Sequence, residues 1–332
     1  MDTSFEDMMV KTAAGHSRIC VLATYFGPLP NWFGLWAASC GANPDIDFVV
    51  VSDQSYDSLP QNVRMFPETL SGIKNRLERA IGTDIVLTKA YKLCDYKPFL
   101  GLAYGDLLEG YDYWGHSDLD LFFGDMRACF AKHGLEQYDK FLSLGHFFLY
   151  RNTPEVNRAC LMTLEGNELW REVVGTDVNC AYDEQGMNLI IREHGFALFA
   201  ERPFADIATI YSRVRLGPGH GDCRREVFYW KKGKAGRLAL QGGGVLSDEE
   251  FLYVHFQKRP YAIERVKAAF GEDFYFGSTG FMPMEGLEAS DAIAKVNPFE
   301  FCREFPEDLR WRCRDLRHRL GVMKGRLLNV RG

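Results

Sequence analysis

The stretch YDYWGHSDLDLFFGD, residues 111–125, sets three carboxylates, Asp118, Asp120 and Asp125, among aromatic and apolar residues. Side chains two apart on a strand share a face, so Asp118 and Asp120 converge if the strand runs through them. An unpaired buried carboxylate is costly, and two neighbours need a counter-charge. A divalent cation supplies it. Hard carboxylate oxygens suit Mg2+ or Mn2+, ions that complete their shells with substrate phosphates. The competing reading is a surface turn in which the three aspartates cap a helix or meet solvent.

Other stretches carry chemistry too. YVHFQKRP (253–260) puts His255 at the end of an apolar strand, with Lys258 and Arg259 just beyond. A neutral imidazole is a common metal ligand, and basic groups beside it would hold a diphosphate. A core histidine with a hydrogen-bond partner is the alternative. AYDEQGMNLI (181–190) puts Asp183 and Glu184 at a helix start, where the helix dipole stabilises carboxylates. Asp53 ends an apolar strand. Asp95 reads as an N-cap and Lys97 as a first-turn cation of the next helix. His116 and His146 read as structural.

The elements that must position these groups alternate. RICVLATYFG (18–27) is a buried strand running into a turn, and 31–41 a helix with Asn31 as N-cap. DIDFVVVSD (45–53) and NVRMF (62–66) read as strands, and 70–82 as a helix closed by Gly82. A helix over 97–110 precedes the aspartate strand, and 141–152 is a further strand. Residues 169–175 and 184–195 have helical spacing, 227–241 reads as a hairpin around Gly233–Gly236, and a strand starts at 250. Alternating strands and helices predict an α/β fold with a largely parallel sheet. In such sheets ligands bind outside the carboxyl ends of the strands, where Asp118 and Asp120 lie.

Composition narrows the function classes. The 332 residues hold 46% hydrophobic and 25% charged side chains, a globular composition with ample material for a core. A net charge of −6 argues against a general nucleic-acid binder. No apolar run is long enough to span a membrane, and residues 1–17 read as a loose tail without a signal core. Nine scattered cysteines without a CxxC pair read as buried free thiols of a reducing cytosol. Residues 307–332 are dense in Arg and Lys with leucines between them. This basic stretch suits an anionic inner-membrane surface, or a solvated helix packed on its own domain.

Strand, loop, helix, a strand ending in Ser-Asp and a strand ending in Asp-x-Asp resemble the plan of GT-A nucleotide-sugar glycosyltransferases. KLCDYKPFLGLAYGDLLEGYDYWGHSDLDLFFGD (92–125) resembles those of bacterial capsule and O-antigen transferases. The resemblance implies a Rossmann-like, mixed, mainly parallel sheet flanked by helices. It implies one catalytic domain over 18–265, with a nucleotide half at 18–125 and an acceptor half at 126–265, and a C-terminal helical extension over 266–332. It implies transfer of a sugar from a nucleotide-sugar donor, a UDP-sugar first among them, to a hydroxyl of a cell-surface glycan or glycolipid. Asp120 would be the direct ligand of Mn2+ or Mg2+. Asp118 would hold the ribose or a metal water, Asp53 the nucleobase or ribose, and Asp95 with Lys97 the donor sugar and its phosphates. His255 is similar to the manganese histidine of glycogenin-type transferases, although the following Lys258 comes too soon and the glycine is missing. Asp183, then Glu184, would contact the acceptor and take its proton. A metal-dependent phosphohydrolase or sugar-phosphate transferase, or a non-catalytic nucleotide- or glycan-binding module, are the alternatives.

Overall fold

The structure is a computed structural model that describes residues 16–216, 225–241, 245–257, 272–299, 306–307 and 309–310. Lys258 and the basic residues from 311 onward lie outside the described residues. The chain divides into two compact units, 1–203 and 204–332. The sequence reading instead sets its divisions at 125 and 265. The first of these falls inside the sheet of the first unit, because a strand before 125 pairs with one after it.

That sheet carries β1 (Ile19–Tyr25), β2 (Asp47–Ser52), β3 (Val63–Pro67), β4 (Tyr113–Ser117), β6 (Lys140–Phe141), β7 (Phe147–Arg151) and β8 (Leu198–Phe199). The short β5 (Leu121–Phe123) follows β4 outside it. The order is β3-β2-β1-β4-β7-β6-β8. The pairs β1–β2, β1–β4 and β2–β3 are parallel, and β7 runs antiparallel to β4. The expected mixed, mainly parallel sheet with flanking helices is borne out. Buried apolar runs such as Cys20–Ala23 and Phe48–Val51 explain it, since a central strand covered on both faces needs no polar alternation.

Helix Leu70–Ile81 lays Ile73, Leu77 and Ile81 on one core at i, i+4 and i+8 spacing. The Thr69 hydroxyl caps its start by accepting from Gly72 N, and left-handed Gly82 ends it. Two expectations need correction. The helix after β1 runs Phe33–Gly41 and starts behind Trp32, not Asn31. The helical stretch expected at 97–110 begins earlier, as successive short turns over Ala90–Ala103, so Asp95 and Lys97 sit inside it rather than at its start.

In the second unit, β10 (Glu226–Lys231), β11 (Lys234–Gln241), β12 (Val245–Phe251), β14 (Phe274–Gly277) and β15 (Gly280–Pro283) form an antiparallel sheet ordered β12-β11-β10-β14-β15. β9 (Ala205–Asp206) pairs in parallel with β13 (Tyr253–His255). The expected hairpin forms with Lys232 and Gly233 at its tip, both at positive φ, as a two-residue hairpin turn demands. From residue 311 onward, the basic helix expected in the C-terminal extension 266–332 lies outside the described residues, but residues 272–299 of that extension are described. They supply β14 and β15 before helix Ala289–Val296, whose Ala292, Ile293 and Val296 pack on Val227 and Tyr229. The aromatic run FYFG on one side of a tight turn and GFMP on the other favours a hairpin there.

Candidate functional site

β4 stops at Ser117, one residue before the first carboxylate. Asp118 and Asp120 therefore lie in a turn beyond the strand and not on one strand face, which corrects the geometric premise of the sequence reading. The turn is pinned from both sides. Trp36 Nε1 donates to Ser117 Oγ at 3.1 Å, Ser117 Oγ donates to the Asp118 carbonyl at 2.7 Å, and Asp118 N donates to the His146 carbonyl at 2.8 Å. Asp120 is buried, while the Asp118 side chain is one-third exposed. Asp125 is the N-cap of helix Met126–His133, its Oδ1 accepting from Ala128 N at 2.9 Å, and takes no part in the site.

Lys97 is the hub. Its Nζ lies 2.9 Å from Asp118 Oδ1 and 3.7 Å from Asp183 Oδ2, and it donates to the Gly145 carbonyl at 2.7 Å. The side chain is only 5% exposed. It is thus occupied in holding two carboxylates together, in place of the open phosphate contact expected of a first-turn cation.

Asp183 and Glu184 sit in one wide helical turn, Tyr182–Gly186, that leads into helix Met187–Glu193. Ala181 before it is left-handed at φ 51°, a conformation that a side chain adopts only when its surroundings hold it. Asp95 does the holding. It is fully buried, and its Oδ1 accepts from Tyr182 N at 2.9 Å while its Oδ2 accepts from Cys180 N and from Lys92 Nζ, each at 2.8 Å. With no surface and both oxygens engaged, Asp95 anchors the segment ahead of Asp183, where the resemblance implied a contact with the donor sugar. Asp95→Ala strands the fully buried Lys92 ammonium and two backbone N–H groups, so we expect a loss of about 3–5 kcal/mol. Urea unfolding followed by tryptophan fluorescence measures it.

The loop from β6 to β7 closes the cluster from the other side. Gly145 N donates to Glu184 Oε1 at 2.9 Å, and a Cβ on Gly145 would stand 2.0 Å from Asp183 Oδ2. This close approach explains why the strand expected over 141–152 is broken between Phe141 and Phe147.

Electrostatics separates the groups. Burial raises the Asp183 carboxyl to about 6, with Lys97 opposing and Glu184, Asp118 and Asp95 adding to the rise. For Asp118, burial acts upward, but the Lys97 charge outweighs it and leaves the carboxyl below its usual range. Burial, then Lys97, pushes His116 down to about 3, so its ring is neutral at physiological pH. Its Nε2 lies 3.3 Å from Thr24 Oγ1 and its Nδ1 3.9 Å from Asp118 Oδ1. One deprotonated and one readily protonated carboxylate, bridged by a lysine, form a usual arrangement for acid–base work.

Asp53 stands exposed at the end of β2 and accepts from Gly27 N at 2.9 Å. The φ of 95° at Gly27 lets the chain leave β1 toward that carboxylate. The bond from Gly27, then one from Gln54, holds the Asp53 carboxyl below its usual range. In the second unit, His255 is buried, with Nδ1 2.9 Å from Asp206 Oδ1, and Gln257 Nε2 donates to the same oxygen at 2.8 Å. Sequence reading missed the part played by Gly145. The one available signal was the glycine inside FLSLGHFF, where a continuous strand would not want it.

The donor chemistry fits a divalent cation. Both ion pairs of Asp118 use Oδ1, and among the described residues no hydrogen bond or ion pair reaches Oδ2. That leaves one hard carboxylate oxygen on a side chain that is one-third exposed, and the nearby Asp120 acts on the same carboxyl.

Among solved structures, the chain is similar to mouse xyloside xylosyltransferase 1 in its apo form at 9% identity, over 58% of this chain and 88% of that one, with a TM-score of 0.36. It is similar to the galactosyltransferase LgtC, solved with donor and acceptor sugar analogs, at 12% identity over 57% and 75% of the two chains, with a TM-score of 0.35. No curated protein matches the chain. The model of DUF6625, a family of unknown function, matches residues 21–285, and the chain belongs to that family.

Proposed function

We propose that this DUF6625 member is a metal-dependent glycosyltransferase of the GT-A type. It moves a sugar from a nucleotide diphosphate sugar, a UDP-sugar in the first instance, to a hydroxyl of a bacterial cell-surface glycan or glycolipid. The observation that carries the reading is the Asp118 carboxylate. It lies just past the carboxyl end of a central parallel strand, with one oxygen held by Lys97 and the other left for a cation.

In this reading Asp118 and Asp120 hold the Mn2+ or Mg2+. The bound ion supplies Lewis-acid neutralisation of a leaving diphosphate. Lys97 fixes Asp118 and Asp183 at one distance from each other. Asp183, with a pKa of about 6, is ionised at neutral pH and takes the proton of the acceptor hydroxyl, and Glu184 is the second candidate. Asp53 meets the ribose or base beside β2. A lipid-linked acceptor would bring the basic stretch 307–332 to an anionic membrane surface. No helix among the described residues is long and apolar enough to cross a membrane.

The test is a panel of nucleotide sugars with manganese and the full chain. We expect release of nucleoside diphosphate from one donor, abolished by EDTA. No turnover of any donor overturns the reading. Cleavage of simple phosphate esters instead would indicate a phosphohydrolase, and donor binding without turnover a binding module.

A further inference from the structure

His116 is buried in β4, two residues before Asp118. The sheet fixes its backbone from both sides, against Leu22 of β1 and Phe148 of β7. Its ring stacks on that of Phe148, with centroids 6.1 Å apart and 29° between the planes. The imidazole therefore has little freedom to move. Its Nε2 lies 3.3 Å from Thr24 Oγ1. Its Nδ1 has no hydrogen-bond partner among the described residues and stands 3.9 Å from Asp118 Oδ1. A bare buried ring nitrogen is costly, and an apolar side chain would fill the same space without that cost.

The two neighbours decide which nitrogen carries the proton. One nitrogen of a neutral imidazole donates and the other accepts. With the proton on Nε2, the Nδ1 lone pair would face a carboxylate oxygen at close range in a dry site, which is repulsive. With the proton on Nδ1, the Thr24 hydroxyl donates to Nε2 and the N–H faces Asp118 Oδ1, so each nitrogen has a complementary neighbour. A charged ring would present the same N–H to Asp118.

We propose that His116 is a positioning residue whose Nδ1–H, with its tautomer set by Thr24, orients the Asp118 carboxylate through Oδ1 and leaves Oδ2 to face the cation. The inference rests on the metal reading of Asp118. Lys97 reaches the same oxygen, but its ammonium is a compact point charge shared among Asp118, Asp183 and the Gly145 carbonyl. It draws the carboxylate in without fixing its plane. The N–H of a stacked ring is directional, and the strand sets its place. The gap of 3.9 Å is longer than a hydrogen bond. With the ring fixed, it closes by a small turn of the one-third exposed Asp118 side chain. Partners of this kind, one step behind a metal ligand, hold the ligand in the orientation the ion needs.

The experiment measures manganese binding to the full chain, by loss of the free-ion EPR signal, for the wild type, His116→Asn, His116→Gln and His116→Phe. Asparagine places an amide nitrogen where Nδ1 stands, glutamine places one where Nε2 stands, and phenylalanine keeps the stack on Phe148 with no donor. His116→Gln and His116→Phe should bind manganese roughly 10–100-fold more weakly than the wild type. His116→Asn should stay much nearer the wild type. Packing alone would reverse that order, because asparagine leaves the largest void. Wild-type affinity in the glutamine and phenylalanine variants overturns the inference, as does an asparagine variant as weak as the phenylalanine one. A second arm uses the wild type without metal. Proton–nitrogen correlation NMR of the His116 ring should show the proton on Nδ1, and a ring protonated on Nε2 alone overturns the inference. If the variants do not fold, this arm decides. Absence of manganese binding by the wild type overturns the metal reading of Asp118, and the ring tautomer then judges the orienting contact by itself.

Discussion

Asp118→Asn and Asp120→Asn should each lower the proposed manganese-dependent turnover by roughly 10²–10³-fold. An amide keeps the shape of the carboxylate and loses its charge, so the proposed ion would be held less tightly where negative charge would gather on a leaving diphosphate. The two variants differ in stability. Asp118 also carries the buried Lys97 ammonium, which in Asp118→Asn keeps only Asp183 at 3.7 Å and the Gly145 carbonyl. A charge-assisted hydrogen bond lost there costs about 1–3 kcal/mol. The sign of its pH dependence follows from the depressed Asp118 carboxyl. The folded chain binds fewer protons than the unfolded one, so the advantage of the wild type over Asp118→Asn is present above the ordinary carboxylate range. It disappears as pH falls through the folded value. The measurement is turnover beside melting with and without manganese. The wild type should melt higher with manganese, and neither variant should respond. Near-normal turnover in either variant sinks the metal assignment.

Which parts of the site were legible in the sequence follows from how local each signal is. The parallel sheet was readable because buried runs such as FVVV and CVLA alternate with helical spacing, and both signals sit within a few residues. Gly82 as a helix stop and the hairpin around Gly233–Gly236 were readable for the same reason, although its tip falls at Lys232 and Gly233. Asp95 was not. In sequence it has the profile of an N-cap, and its true partners, Cys180 N and Tyr182 N, lie more than eighty residues away. Lys97 likewise reads as a solvated cation until the fold brings Asp118 and Asp183 to it. The convergence of Asp118 and Asp120 was expected from strand periodicity. β4 ends one residue too early for that, and pins from Trp36 and His146 set the turn instead. Long-range partners decide burial, and burial decides whether a carboxylate is an anchor, a ligand or a base.

Gly145→Ala should cut kcat by roughly 10²-fold without removing a single polar group. The φ of Gly145 is not in the left-handed region, so its backbone accepts alanine, and the consequence is confined to the new methyl. That methyl would meet Asp183 Oδ2 at 2.0 Å, Asp183 Cγ at 2.8 Å and Glu184 Cγ at 3.2 Å. Loop and turn cannot both stay. Either the loop withdraws and takes its carbonyl from Lys97, or the Asp183 carboxylate swings away from the 3.7 Å contact with that lysine. Both outcomes break the spacing on which the proposed base depends. A double-mutant cycle with Asp183→Ala isolates the collision. Once the carboxylate is gone the methyl has room, so Gly145→Ala should destabilise the wild-type chain but much less the Asp183→Ala chain, with a coupling of about 0.5–3 kcal/mol. Denaturant unfolding of the four chains gives that number, and kinetics of the single mutants gives the other. An active Gly145→Ala chain with no coupling to Asp183 would mean that the carboxylate tolerates displacement. The base role would then pass to Glu184, whose Oε1 is held by the backbone N–H of the same glycine and would survive the substitution.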